Sequence, residues 1–570
     1  MKPPFKDFYN LSKYIDMKSV SNLFALIAAV TIVISCGNPN SIAEENGLTA
    51  FRYNEPGGIT SLDPAYAKNL ENVWPVHQIF NGLVQMNNET EVVPCISTDW
   101  TVSEDGREYT FTLRDDVYFH DNENFENKKG RKVTAYDFEY SFFRLIDDDV
   151  ASPGRSIFSV LERSEKSHYK GFYAVDEVTF KIFLKQAYPP FLGLLTMDYC
   201  SVVPQEIVEY YGNDFRRNPV GTGPFKFKRW VEGEKLNLVK NENYFEMDGD
   251  NRLPYLDAVS VSFVKDPQVA FLDFIRGNFD FKSGLDGSFK DEILTNEGEL
   301  KEEYIQTFKM EKQPWLETVY FGILVDATLD NVKISPLKEK AIRKAINYAI
   351  DRDKMVKYLR NNIGVPAHSG FVPRGIASYD ADKVKGYDYN IEKARELLYV
   401  AGFPEGKGMP KIKLRTTKLY EQVNIFVQHE LQEIGIPAEI EVFDEGYYRG
   451  MVENSGANFF TKSWIADYPD AENFLMLYYS DNYAPKGFNY THFSNFEFDK
   501  LYNMAMGEVD DSLRYSYYQA MDRILIEEAP VVPLYYNEVV RFVHNNIEGL
   551  ETNSMNTLSL KRVKKTPKKQ

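Results

Sequence analysis

The run Val423-Asn424-Ile425-Phe426-Val427-Gln428-His429-Glu430-Leu431-Gln432-Glu433-Ile434-Gly435-Ile436-Pro437-Ala438-Glu439-Ile440-Glu441-Val442 reads as helix, glycine, strand. Val423, Phe426, Val427, Leu431 and Ile434 recur at helical spacing. Gly435 is a natural left-handed C-cap, and Ile436 to Val442 then alternates as a strand does. Helix, cap and strand make an α/β unit, and the chain repeats that logic. Ala341, Ile342, Ala345, Ile346 and Ala349 form a second apolar stripe, which Met355, Val356 and Leu359 continue. Working outward, Leu48 to Tyr53 is a first strand and Tyr109 to Leu113 alternates behind an Asp105-Gly106 turn. Val117 to Asp121 reads as a further strand. Thr134 and Asp137 open a helix as a capping box with Asp in place of Glu, and Phe138, Phe142 and Leu145 follow at helical spacing.

The ends carry different information. Lys18 precedes an apolar stretch from Leu23 to Ile34, which stops at Ser35-Cys36-Gly37. A basic start, a dozen apolar residues and a small-residue boundary describe an export signal, too short for the roughly 20 residues of a membrane span. Met17 offers a second start. Val33-Ile34-Ser35-Cys36 resembles the lipobox of bacterial lipoproteins, so residues 1–35 are expected to be removed and Cys36 acylated. An uncleaved anchor or a plain secretory signal is the alternative. Residues 36–47 are polar and read as a flexible tether. Cys95 and Cys200 sit in apolar surroundings. A disulfide is open to an exported chain, but buried small hydrophobes are the simpler reading.

The formal charge is −18, and loss of the segment through Ser35, with four Lys and two Asp, leaves about −20. That excludes a nucleic-acid partner on charge grounds and weakly favours cationic ligands through the long-range field. The basic residues 564–570 read as a solvated tail. About 535 residues then remain, too many for one core. The seven His residues are scattered, and no Cys pair has zinc spacing. Asp248-Gly249-Asp250-Asn251 lacks the glycine and closing Glu of a calcium loop. No Gly-x-Ser-x-Gly elbow occurs. No metal, cofactor or enzymatic role is therefore expected.

One octapeptide stands out: Ser463-Trp464-Ile465-Ala466-Asp467-Tyr468-Pro469-Asp470. A carboxylate among aromatic rings, poorly hydrated, attracts an ammonium group strongly. A surface turn reads the same way in isolation.

Several segments in order give the octapeptide a context. They are Asp105 to Val117 with Phe119-His120-Asp121, Val133-Thr134-Ala135-Tyr136-Asp137-Phe138, and Asn218-Pro219-Val220-Gly221-Thr222-Gly223-Pro224-Phe225. Asn241-Glu242-Asn243-Tyr244-Phe245, Ala341 to Asp351, Ala394 to Phe403, and Glu528 to Tyr535 complete the set. Together they resemble the extracytoplasmic solute-binding proteins of oligopeptide and dipeptide (peptide/nickel-type) ABC importers. The resemblance implies an α/β, two-lobed periplasmic-binding-protein fold of type II with an inserted subdomain. Lobe I would comprise residues 48–80, 200–316 and 533–563, the insertion 81–199 and lobe II 317–532. Crossings would lie near Val319-Tyr320-Phe321 and Pro533-Leu534-Tyr535. Gly221 and Gly223 would allow close backbone packing rather than cradle phosphate.

By the same resemblance, Asp467 holds the α-ammonium of a short peptide with a free amino terminus. Trp464 and Tyr468 shape its pocket, and His368 is a second candidate to face ligand. An Arg that some relatives carry six residues before this Asp is Thr461 here, which leaves Lys462 or Arg449 to meet a peptide carboxylate. The expected partners are an ABC permease with its ATPase subunits, and the membrane through the lipid anchor. The chain would work as a monomer in the cell envelope, facing the periplasm or exterior. The same fold in relatives takes nickel chelates, opines or oligosaccharides. For a sugar, the rings of Trp315, Trp464 or Tyr468 would stack.

Overall fold

The computed structural model describes residues 48–163, 170–285 and 289–567. The export signal, Cys36, the tether and the last three residues of the basic tail lie outside them. One mixed sheet runs through the molecule. Its strand order is Ala438–Phe443, Ile412–Thr417, Phe459–Ile465, Phe308–Ile323, Val531–His544, Phe281–Ser283, Ala50–Asn54, Ala258–Ser262, Lys235–Lys240 and Phe225–Val231. The short strand Val365–Pro366 also pairs with Val531–His544. A separate four-stranded sheet holds Ser97–Val102, Glu108–Leu113, Thr179–Phe183 and Phe172–Ala174.

Two strands hold the large sheet together. Phe308–Ile323 has 16 residues and Val531–His544 has 14. They run antiparallel along nearly their whole length, with irregularities between Pro314 and Thr318 and between Val319 and Tyr320. The interior, in contrast, is divided. One apolar cluster draws on residues such as Phe51, Trp74, Phe111, Phe142 and Val261. A second gathers Val319, Ile346, Val427 and Leu534, and a third Leu316, Phe371, Phe474 and Leu525. These two latter clusters flank the half of the sheet that carries Phe459–Ile465. Burial of apolar surface at about 25 cal/mol per Å² stabilises each cluster, while the two long strands bridge them.

The sequence-level helices form with sharpened limits. The stripe from Ala341 onward splits into Lys340–Ala349 and Arg352–Arg360, because Ile350 and Asp351 are extended and Asp351 caps the second helix through Lys354 N. Thr134 and Asp137 make the capping box of Ala135–Ile146. Gly435 has φ +87°, as its C-cap role requires. The proposed strand Val117 to Asp121 does not form. Phe119 N bonds Arg131 O at 3.0 Å and His120 N bonds Gly221 O at 2.7 Å, so its backbone is satisfied by loops. Cys95 and Cys200 are buried free thiols.

Gly221 and Gly223 are needed for space. A Cβ on Gly221 would lie 2.1 Å from the Ile79 carbonyl oxygen, and one on Gly223 2.5 Å from the Ile79 carbonyl carbon. Backbone atoms cannot rotate aside as a side chain can. Gly221→Ala should therefore destabilise the fold by about 2–4 kcal/mol. A urea unfolding midpoint indistinguishable from wild type would contradict this packing.

Candidate functional site

The strand Phe459–Ile465 pairs antiparallel with Phe308–Ile323, Glu317 opposite Ile465 and Val319 opposite Ser463. Val319 also faces Tyr535 on the other long strand. Paired residues share a face of the sheet and alternate residues along a strand return to it. Glu317, Val319, Ser463, Ile465, Tyr535 and Asn537 therefore occupy one face. The ladder continues past Ile465, with Ala466 N donating to Leu316 O at 2.8 Å. Beyond that bond the strands part, Leu316 N turning to Ser554 O and Asp467 N to Asn473 Oδ1, so Asp467 sits just past the strand end, beside the Trp315–Leu316 stretch.

Asp467 thus stands at one end of a row. Asn473, fully buried, orients it: Asn473 Oδ1 accepts from Asp467 N at 3.1 Å and from Trp464 Nε1 at 2.9 Å. The Asp467 side chain itself reaches solvent, so the poorly hydrated pocket expected from sequence is an open recess in this structure. Crowding by surrounding protein still pushes its carboxyl above the ordinary carboxylate value, against the opposing pulls of Asn473 and Lys68. The Tyr199 phenol lies within electrostatic range and is pushed up first by burial and then by the Asp467 and Asp198 charges.

The far end of the row is a polar group that the sequence did not suggest. Asn537 Nδ2 donates to Glu317 Oε2 at 2.7 Å, and Arg360 Nη2 donates to Asn537 Oδ1 at 2.7 Å. The Arg360 guanidinium lies 4.5 Å from the centre of the Tyr535 ring and bonds Ile363 O at 2.8 Å. Tyr420 OH donates to Ser463 Oγ at 3.0 Å. Arg360 makes no ion pair among the described residues; its hydrogen-bond acceptors are neutral oxygens. Glu317 is 4% exposed, and burial raises its pKa despite Asn537, Ser463 and Arg360. Between the two ends, Ile465 is 42% exposed. From residue 463 to residue 467 an extended chain covers roughly 13 Å.

The remaining sequence candidates fall elsewhere. Trp464 lies on the opposite face, paired with Thr318, its ring 5.5 Å from that of Phe488. Tyr468 is 5% exposed. Its hydroxyl lies 3.0 Å from that of Tyr188 and also donates to Glu472, so it braces the recess rather than lining it. His368 pairs with Asp353 at 2.8 Å and Asp388 at 3.6 Å, and none of these contacts involves Asp467. Thr461 is buried and bonded to Asn424. Lys462 lies over the Tyr490 ring at 4.2 Å, on the face away from Glu317. Arg449 lies 4.0 Å from Glu445. Neither Lys462 nor Arg449 is thus set on the face that carries Glu317, whereas Arg360 reaches that face through Asn537. Recesses away from the row, such as the one lined by His77, Gln85, Glu246 and Lys561, have their main charges already paired: Lys561 holds Glu246 at 2.7 Å. Among the described residues no group of three or more His, Cys, Asp or Glu is placed to hold a metal, and no helix is long and apolar enough to cross a membrane.

Residues 91–486 match the family model for bacterial extracellular solute-binding proteins, family 5 middle. The glutathione-binding protein GsiB of Shigella flexneri is 26% identical over 536 residues, 93% of this chain and 95% of that one. The fold superposes on the ABC transporter-associated periplasmic binding protein DppA of Helicobacter pylori in complex with peptide STSA. The TM-score is 0.73 at 26% identity, with 92% of this chain and 99% of that chain covered. An unliganded open form of the periplasmic murein tripeptide binding protein MppA gives a TM-score of 0.72 at 25% identity, covering 91% and 98%.

The electrostatics of the recess are testable without a ligand. The Asp467 carboxyl should titrate above its ordinary value of 3.8, and Lys68→Met, removing an exposed cation that lowers it, should move the midpoint further up. Carboxyl-carbon NMR of the two proteins measures both. A midpoint at or below 3.8 would contradict the crowded recess.

Proposed function

Because the chain belongs to the bacterial extracellular solute-binding proteins of family 5, which hand solutes to ABC transporters, we propose that its solute is a short peptide with both ends free. Asp467 takes the α-ammonium and Arg360 the carboxylate, the peptide lying extended along the row between them. Charge-assisted hydrogen bonds of this kind are about twice as strong as neutral ones. At about 3.3–3.6 Å per residue, the stretch of roughly 13 Å that an extended chain covers between residues 463 and 467 accommodates a ligand of two to four residues. The observation that carries this reading is the placing of an accessible carboxylate and an ion-pair-free guanidinium on one sheet face, with exposed Ile465 between them.

Backbone recognition along a strand reads the main chain, so broad side-chain preference follows. In this reading Cys36 carries the lipid anchor and residues 36–47 tether the two lobes, with limits as given above, close to a permease and its ATPase subunits in the envelope. The protein performs no chemistry; its relatives in the family are transport components.

Two substitutions test the poles separately. Asp467→Asn should weaken binding of tri-alanine about 100-fold, the order expected for stranding a partly buried charge. N-acetylation of the peptide should do the same to wild type. Because only the ionised carboxylate holds an ammonium, affinity should fall as pH drops through the raised Asp467 value. Equal affinities of wild type and Asp467→Asn in calorimetry would refute the assignment. For the other pole, amidating the peptide carboxylate should cost wild type about 10- to 30-fold, whereas Arg360→Gln should bind acid and amide alike. Undiminished discrimination by that variant would remove Arg360 from the site.

A further inference from the structure

Two donors on the first long strand lack partners. The Nε1–H of Trp315 and the Nε2 amide of Gln313 are buried and make no hydrogen bond. Leaving a buried donor unpaired costs about the full desolvation penalty of the group, and native folds do so rarely. Here two of them stand two residues apart on the strand that crosses between the halves of the molecule. Gln313 pairs with Val539. Alternation along both strands therefore sets Gln313 and Trp315 on the face that carries Glu317 and Asn537. The Ala466 N–Leu316 O bond, 2.8 Å, sets the Asp467 backbone beside the Trp315–Leu316 stretch. The local ladder is irregular between Pro314 and Thr318, which frees this stretch from full backbone pairing with Val531–His544.

We propose that Trp315 and Gln313 are ligand-contacting residues, their side-chain N–H groups donating to peptide oxygens next to the ammonium held by Asp467. The inference rests on the peptide reading above and adds two acceptor-recognising donors to its amino-terminal pole. Chemically it selects ligands that carry a carbonyl within one or two bonds of the amine carbon, as α-amino amides and peptides do, over simple amines. The Trp315 ring also offers its face to the bound cation.

The two donors carry a signature that a purely structural role lacks. Removing an unsatisfied buried donor without removing bulk relieves the free protein, while it deprives the complex of a bond. Gln313→Met keeps the bulk and should leave the melting temperature of the ligand-free protein unchanged or a few degrees higher, whereas Trp315→Phe also removes volume and should lower it slightly. Each should also weaken tri-alanine binding about 10-fold. A sulfur analogue of tri-alanine, with the first carbonyl oxygen replaced, is a poorer acceptor. Wild type should prefer the oxygen form, and Trp315→Phe should bind both forms equally. A lower ligand-free melting temperature with unchanged affinity in both variants would make these side chains structural and overturn the inference. So would an unaltered oxygen preference in Trp315→Phe. Wild type failing to bind tri-alanine at all would instead bring down the peptide reading itself, and this inference with it.

Discussion

The structure depends on one hydrogen-bonded ladder, that between Phe308–Ile323 and Val531–His544. Every other strand of the large sheet reaches its partners in the opposite half only through this pair. Its register is a hard constraint, because slipping by one residue would turn each side chain to the other face. Val319 and Tyr535 would leave the apolar cluster they share with Ile346 and Leu534, and Glu317 would lose Asn537. Burial on both faces thus fixes the register, and the register in turn fixes the row from Asp467 and Trp315 to Asn537 and Arg360. The site follows from the need to keep one sheet whole across two cores.

Charge gives that row its direction. Four carboxylates near the recess, Glu317, Asp467, Asp470 and Glu472, all have pKa values raised chiefly by burial. Only scattered cations oppose them: Lys68 at Asp467, Arg360 near Glu317, and Arg514 3.9 Å from Asp470. An ionised carboxylate with little countercharge is costly to keep in a partly desolvated place, and a cationic guest lowers that cost. The guanidinium at the other end has the converse character, with neutral acceptors and no carboxylate of its own. The row thus carries a carboxylate at residue 467 and, at its other end, a guanidinium that makes no ion pair among the described residues.

Much of this was legible in the sequence, for reasons that can be stated. The helices were, since apolar spacing and caps are local; Thr134 with Asp137 and Gly435 act through residues three or four positions away. The need for glycine at residues 221 and 223 was legible through a resemblance, although the reason, the Ile79 backbone, is 142 residues distant from the first of them. Asp467 stood out because its flanking aromatics are adjacent in sequence. Arg360 and Trp315 were not assigned these roles, because what makes them interesting is cross-strand register and partner count, neither of which a linear pattern encodes. The strand expected at Val117 to Asp121 failed for a related reason. Its alternation is real, but its backbone groups find Arg131 and Gly221 instead of a neighbouring strand.

Tyr468 turns this geometry into a coupling between distant segments. It is one peptide bond from Asp467, yet its hydroxyl meets Tyr188 and Glu472, and Tyr188 also donates to Glu472 at 3.0 Å. Gly193 lies against the same ring: a Cβ there would be 3.4 Å from Tyr468 Cβ. The segment from Tyr188 to Tyr199 therefore packs on the residue after Asp467 and also brings the Tyr199 phenol within electrostatic range of its carboxylate. That segment is held in turn by hydroxyl bonds to the buried Glu472. Ligands shift a conformational equilibrium only through contacts that differ between states. A change at Asp467 that reaches Tyr468 would therefore also bear on the docking of Tyr188.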